Sequence, residues 1–201
     1  MSNIALATRT NVTPLSVRAI GEIGFPIGEL FLGGMTKERL LEETKGPGRF
    51  LDSSAESLMN HVEFTTESHR RRVATITLTP KNFGSQVPVM PMLELFSSQR
   101  LIHWSKLRLK DRIAFLLPFE AGPQCFLQHD LPEGHTLSVA TQSITCADGC
   151  PRIFSIVRRF KRPPPHNVPP LILTTDRAYP ENRFGLIQNI LFGLRPRTAA
   201  D

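Results

Sequence analysis

The sequence predicts an α+β domain in which an antiparallel sheet wraps around one long apolar helix, with an irregular N-terminal arm and a proline-rich C-terminal arm. Three observations carry this expectation. The runs RIAFLLPF (Arg112 to Phe119), PQCFLQHD (Pro123 to Asp130), HTLSVATQSIT (His135 to Thr145) and RIFSIVRRF (Arg152 to Phe160) are separated by the turn signals AGP, PEG and ADG. Short strands joined so tightly pair antiparallel. RRVATITLTP (Arg71 to Pro80) alternates Val73, Thr75, Thr77 and Thr79 against Ala74, Ile76 and Leu78 with β-branched enrichment, the pattern of a strand. Between these runs, VPVMPMLELFSSQRLIHW (Val87 to Trp104) reads as a largely apolar helix, as a helix lying in the concave face of a sheet would be.

The remaining elements follow in order. Residues 1 to about 20 read as a polar arm, and GEIGFPIGELFLGG (Gly21 to Gly34) as an irregular apolar segment, because its glycines cost about 1 kcal/mol each in a helix interior. MTKERLLEET predicts a short helix capped by Thr36 and carrying Glu38 to Glu43, ended by KGPG. SLMNHVEFTT (Ser57 to Thr66) alternates imperfectly and reads as extended. The tail holds a polyproline-like spacer, KRPPPHNVPP, one further strand, LILTTD, and RFGLIQNILFGL, a short amphipathic helix. The expected organisation is an arm with a short helix over 1–48, the main domain over 49–162 and a tail over 163–201.

Composition narrows the function classes. Forty per cent apolar residues is ordinary for a globular chain, and no apolar run approaches the roughly 18 residues of a spanning helix. The start shows no basic segment leading into an apolar one, so no secretory signal is read. The three cysteines, Cys125, Cys146 and Cys150, fit reduced thiols in a cytoplasmic protein. Cys146 and Cys150 bracket a turn, without the second pair or the histidines that zinc requires, and the six histidines show no metal spacing; no metal and no cofactor are expected. Glycine-rich phosphate loops and nucleophile elbows give no signal either.

The order of elements and the run RVATITLTPKNFGSQVPVMPMLELFSSQ resemble the hotdog fold, in particular its β-hydroxyacyl-thioester dehydratase branch, and are also similar to the butenolide-synthesis hotdog proteins. Val89-Met90-Pro91 stands where that family's loop enters its central helix, Glu94 and Gln99 resemble the helix carboxylate and glutamine, and DLPEGHTLSVATQSI resembles a later strand with its turn. The resemblance spans about residues 49 to 160 and implies a homodimer acting on an acyl chain carried by coenzyme A or an acyl carrier protein, in lipid or polyketide-type metabolism. It makes Glu94 the catalytic carboxylate. The family's loop histidine is absent between Lys81 and Val89, so His61, His69 or His103 would have to fill the second acid–base role. His103 lies two and a half helical turns beyond Glu94, toward the opposite face. Gln99 and Arg100 would hold a thioester carbonyl or phosphate, with Lys106 and Arg108 beside the anionic carrier. The bland reading places Glu94 at solvent or beside an arginine, and Gln99 and Arg100 on backbone groups or at a seam.

The formal charge of +6 points to an anionic partner. The basic clusters are Arg70-Arg71-Arg72, KLRLKDR (Lys106 to Arg112) and RRFKR (Arg158 to Arg162), with Phe154 and Phe160 on one strand face beside the last. Single-strand binders interleave aromatic platforms with such charge. The rival expectation is therefore a non-catalytic basic binding or accessory protein, with nucleic acid as a candidate partner. His129 and His135 flank the DLPEG turn and are expected to be exposed.

Overall fold

The computed structural model describes residues 28–80, 88–90, 93, 112–160, 171–185 and 188–196. Among them lie nine strands and three short helices. In chain order these are β1 (Glu29–Leu32), α1 (Lys37–Thr44), β2 (Arg49–Leu51), α2 (Ser53–Asn60), β3 (Arg71–Leu78), β4 (Arg112–Phe115), α3 (Ala121–Gln128), β5 (Thr136–Val139), β6 (Ile144–Thr145), β7 (Pro151–Arg158), β8 (Leu171–Arg177) and β9 (Asn189–Pro196).

All nine strands join one sheet in the order β1-β3-β9-β5-β7-β8-β2, with β4 also on β9 and β6 on β7. Two neighbours are parallel, β5 with β9 and β2 with β8; the others are antiparallel. The sheet centres on β9. Its Ile190–Leu194 pairs with β3 along one edge, while β5 and then β4 share the other.

Strand parity divides the core into two layers. On one face Leu30, Val73, Leu137, Phe154, Leu173 and Leu191 pack with Leu40 of α1, Leu58 and Met59 of α2, and Cys125 and Phe126 of α3. On the other, Ile76, Leu78, Ile153, Ile190, Phe192 and Leu194 pack with Val89, Leu93 and Phe184. Two glycines permit close approach. A Cβ on Gly122 would lie 2.5 Å from the root of the Phe154 side chain, and one on Gly193 would lie 2.5 Å from the Phe115 ring laid across it.

The predicted architecture needs correction. The sheet is mixed, not antiparallel, and no helix among the described residues exceeds eight residues. The core they build is a sheet with short helices against one face, so the hotdog arrangement of a sheet around a long central helix does not hold. Most of the predicted helix Val87 to Trp104 lies outside the described residues.

Three elements change type. PQCFLQHD, read as a strand, contributes to α3: Pro123 sits in the first turn, where a backbone N–H has no intrahelical acceptor to lose, and Ala121 to Phe126 are all buried. SLMNHVEFTT, read as extended, begins inside α2, whose N-cap Asp52 accepts a 2.8 Å hydrogen bond from the Ser54 N–H. RFGLIQNILFGL, read as an amphipathic helix, supplies β9; Ile190 to Leu194 are covered on both faces, so the strand reads as a continuous apolar run. The segment read as irregular contains β1, whose Leu30 and Leu32 point inward and Glu29 and Phe31 outward. The Thr36-capped helix is found as expected, Thr36 accepting from the Arg39 N–H.

Candidate functional site

Among the described residues β1 is an edge strand, and an unpaired edge invites pairing with another chain. Here α3 closes it. Gln128 accepts from the Phe31 N–H at 2.9 Å and donates to the Phe31 carbonyl at 2.7 Å, mimicking a strand neighbour with its amide. His129 donates from Nε2 to the Glu29 carbonyl at 2.9 Å. This histidine is half-buried rather than exposed as expected, and burial lowers its pKa, opposed by the Glu29 bond. His135 is exposed.

With the Phe31 N–H and carbonyl and the Glu29 carbonyl occupied, the side chains on the outer face of β1 remain available. Phe31 is directly opposite Arg72 of β3, and the guanidinium of Arg70 lies 4.5 Å from the Phe31 ring centroid. The phenylalanine is thus flanked by two cations yet stays 39% exposed. Arg72 also meets Glu29 at 3.4 Å, an exposed pair. Arg71 points to the opposite face and is held by both oxygens of Glu67.

Arg71 borders a cleft of about 400 Å³, walled by residues 115–119 with Thr65 and Gln142 at its rim. Phe115, Leu116, Pro118 and Phe119 make it largely apolar. Beside it, Glu120 is fully buried. Its Oε1 accepts from the Glu67 N–H at 3.1 Å, while its Oε2 has no hydrogen-bond partner among the described residues. Burial first, and the Glu67 charge with it, raise the Glu120 pKa above the usual carboxylate range; the Glu67 and Gly33 N–H groups and Arg71 pull the other way. Gly33 has φ +74, and a Cβ there would strike the His69 carbonyl. Glu120 therefore ties the end of β1 to the approach to β3.

The sign of that raised pKa gives an expectation. The folded state holds the Glu120 proton more tightly than the unfolded chain, so its contribution is fully present below the unfolded value near 4.5 and is lost as pH rises through the folded value. Thermal unfolding of Glu120→Gln and of the parent across this range should show the two curves diverging upward from about pH 4.5, in favour of Gln. A gap independent of pH would contradict this.

Of the sequence-predicted site residues, Glu94, Gln99, Arg100, His103, Lys106 and Arg108 lie outside the described residues. His61 caps the C-terminus of α2, its carbonyl accepting from Lys37 and its Nδ1 accepting from the Glu63 N–H at 3.3 Å. His61 thus serves a local turn. The His69 side chain is exposed. Phe154, expected beside the basic run, is fully buried and meets Phe64 edge-on at 5.9 Å. Phe160 is exposed, but its ring lies over Gly134, and Arg158 pairs with Asp130. Phe31 and Glu120 were missed, since cross-strand position and burial carry no local signal. Among the described residues no group of side chains could hold a metal ion, and no helix is long and apolar enough to cross a membrane.

These features define a mixed-sheet domain with three short helices on one face and an arginine-flanked phenylalanine on a capped edge. No family model matches the chain, and neither does any curated protein or solved structure.

Proposed function

We propose that this chain is a non-catalytic binding protein whose ligand is single-stranded nucleic acid, held along the outer edge formed by β1 and β3. The observation that carries this reading is Phe31, partly exposed between Arg70 and Arg72, its own backbone N–H and carbonyl already bonded by Gln128. Arginine beside an aromatic face offers a base both a stacking surface and a neighbouring cation for phosphate. The exposed Arg72–Glu29 pair is of a kind worth about 0–1 kcal/mol, so a phosphate can displace the carboxylate at little cost. The formal charge of +6 favours the encounter.

The test is fluorescence anisotropy of a labelled single-stranded oligonucleotide, titrated between about 50 and 200 mM salt. Affinity should fall as salt rises. Arg70→Ala with Arg72→Ala should reduce the slope of log K against log salt by about 1.4, which is about 0.7 for each phosphate no longer neutralised. Phe31→Ala should weaken binding by about 1–3 kcal/mol, with the slope retained. Absence of salt-dependent binding, or variants that bind like the parent, would overturn the reading.

A second reading rests on the cleft beside Arg71. Its apolar walls and polar rim suit the acyl portion of a thioester carried by coenzyme A or a carrier protein. Bound acyl ligand in a native mass spectrum, together with no oligonucleotide binding, would favour it.

A further inference from the structure

We infer that Cys146 and Cys150 form an oxidative modification site, a dithiol that closes to a disulfide across the β6–β7 hairpin by exchange with a small-molecule disulfide. The hairpin brings the two residues together. Ile144 pairs with Arg152 and Thr145 with Pro151, so the next opposed pair is Cys146 with Cys150. The Cys146 N–H donates to the Cys150 carbonyl at 3.0 Å, and the Gly149 N–H donates to the Cys146 carbonyl at 2.9 Å. Gly149, at φ +74, supplies the left-handed residue that a three-residue hairpin loop requires. The Cys150 N–H turns to Asp148 Oδ1 at 3.0 Å, so the two cysteines share one ladder hydrogen bond, and opposed residues of antiparallel strands have Cα atoms about 4.5–5.5 Å apart. Disulfides span about 4.4–6.8 Å. Both side chains lie on the same face of the ladder, and both are partly exposed.

The surroundings hold this geometry in place. Arg152 donates to Asp148 within the loop at 2.7 Å and to Thr175 of β8 at 3.2 Å; Thr175 in turn donates to Ser54 at the start of α2 at 2.9 Å. Tyr179 donates its hydroxyl proton to the Cys150 sulfur at 2.9 Å. The hairpin is thereby anchored to the body of the domain at Arg152 and Cys150. A structural metal does not account for the pair, because two thiolates leave half of a zinc shell unfilled and no metal-ligand cluster occurs among the described residues.

The oxidant is a low-molecular-weight disulfide such as glutathione disulfide. One cysteine thiolate attacks a glutathione sulfur, the glutathione S–S bond breaks, and one glutathione thiolate departs. The second cysteine thiolate then attacks the mixed disulfide at the protein sulfur and expels the other glutathione. The protein loses two protons and two electrons, and the oxidant becomes two molecules of glutathione thiol. The third cysteine serves as an internal control. Cys125 is fully buried, and burial pushes its thiol up to about 12, so it presents almost no thiolate at neutral pH.

The test incubates the full chain with glutathione disulfide, then alkylates it in denaturant and measures its intact mass. The expected product has lost two hydrogens, accepts one alkyl group in place of three, and recovers all three after dithiothreitol. Peptide mapping should place the single alkyl group on Cys125. Cys125→Ser should still close the bridge, whereas Cys146→Ser should stop with glutathione attached to Cys150. Three alkylated thiols after oxidation, a bridge that includes Cys125, or only chain-to-chain dimers would overturn the inference.

Discussion

Phe154→Ala is expected to destabilise the protein by about 3–5 kcal/mol, in the range for truncating a buried phenylalanine. For a chain of this size that lowers the unfolding midpoint by roughly 6–20 °C. The side chain is fully buried, meets Phe64 at a near-perpendicular 79°, and lies under the first turn of α3 at Gly122. Its removal loosens the packing of both α3 and the Phe64 segment on the sheet. Domains are commonly stable by about 5–15 kcal/mol, so much of the folded margin is at stake. Urea unfolding followed by circular dichroism measures the effect; a loss below about 1 kcal/mol would show that this side chain does not hold the layers together.

Gly122→Ala is the second large expectation, and its sign separates two effects. Alanine is the better helix former, by about 1 kcal/mol, so helix propensity alone predicts stabilisation. The added methyl, however, would stand 2.5 Å from both Cβ and Cγ of Phe154, atoms near the strand backbone that cannot swing aside. Overpacking of this kind costs about 1–3 kcal/mol, so net destabilisation should win. The two substitutions should not be additive. In a Phe154→Ala background the new methyl meets a cavity rather than a ring, and the double variant should be less destabilised than the two single effects together, by about 1 kcal/mol or more. Stabilisation by Gly122→Ala alone would mean that α3 packs farther from β7 than this.

Local chemistry was legible where one element decides its own fate. The Thr36 cap and the acidic turn that follows it place α1, and the alternation of Val73 to Leu78 places β3. The arginine run 70–72 was visible as a cluster, but its arrangement was not. Arg71 faces the cleft, Arg70 and Arg72 flank Phe31, and the partner strand that creates this division lies about forty residues earlier in the chain. Glu120 stands in a run with no motif, and only burial beside the Glu67 N–H makes it distinctive.

Element type failed where tertiary burial outweighs periodicity. The run NILFGL has the same apolar content whether a helix lays one face on a surface or a strand is buried on both; β3, β4 and β5 supply the two paired edges that make it a strand. AGPQCFLQ alternates too weakly to specify a strand, and the close approach of Gly122 to Phe154 secures it as a helix against the sheet. Composition, caps and turns follow from nearest neighbours along the chain, and these the residues dictate directly. Sheet order, the capped edge, the opposed cysteines and the arginine-flanked phenylalanine depend on segments far apart in sequence, and their placement emerges only when the whole core is packed.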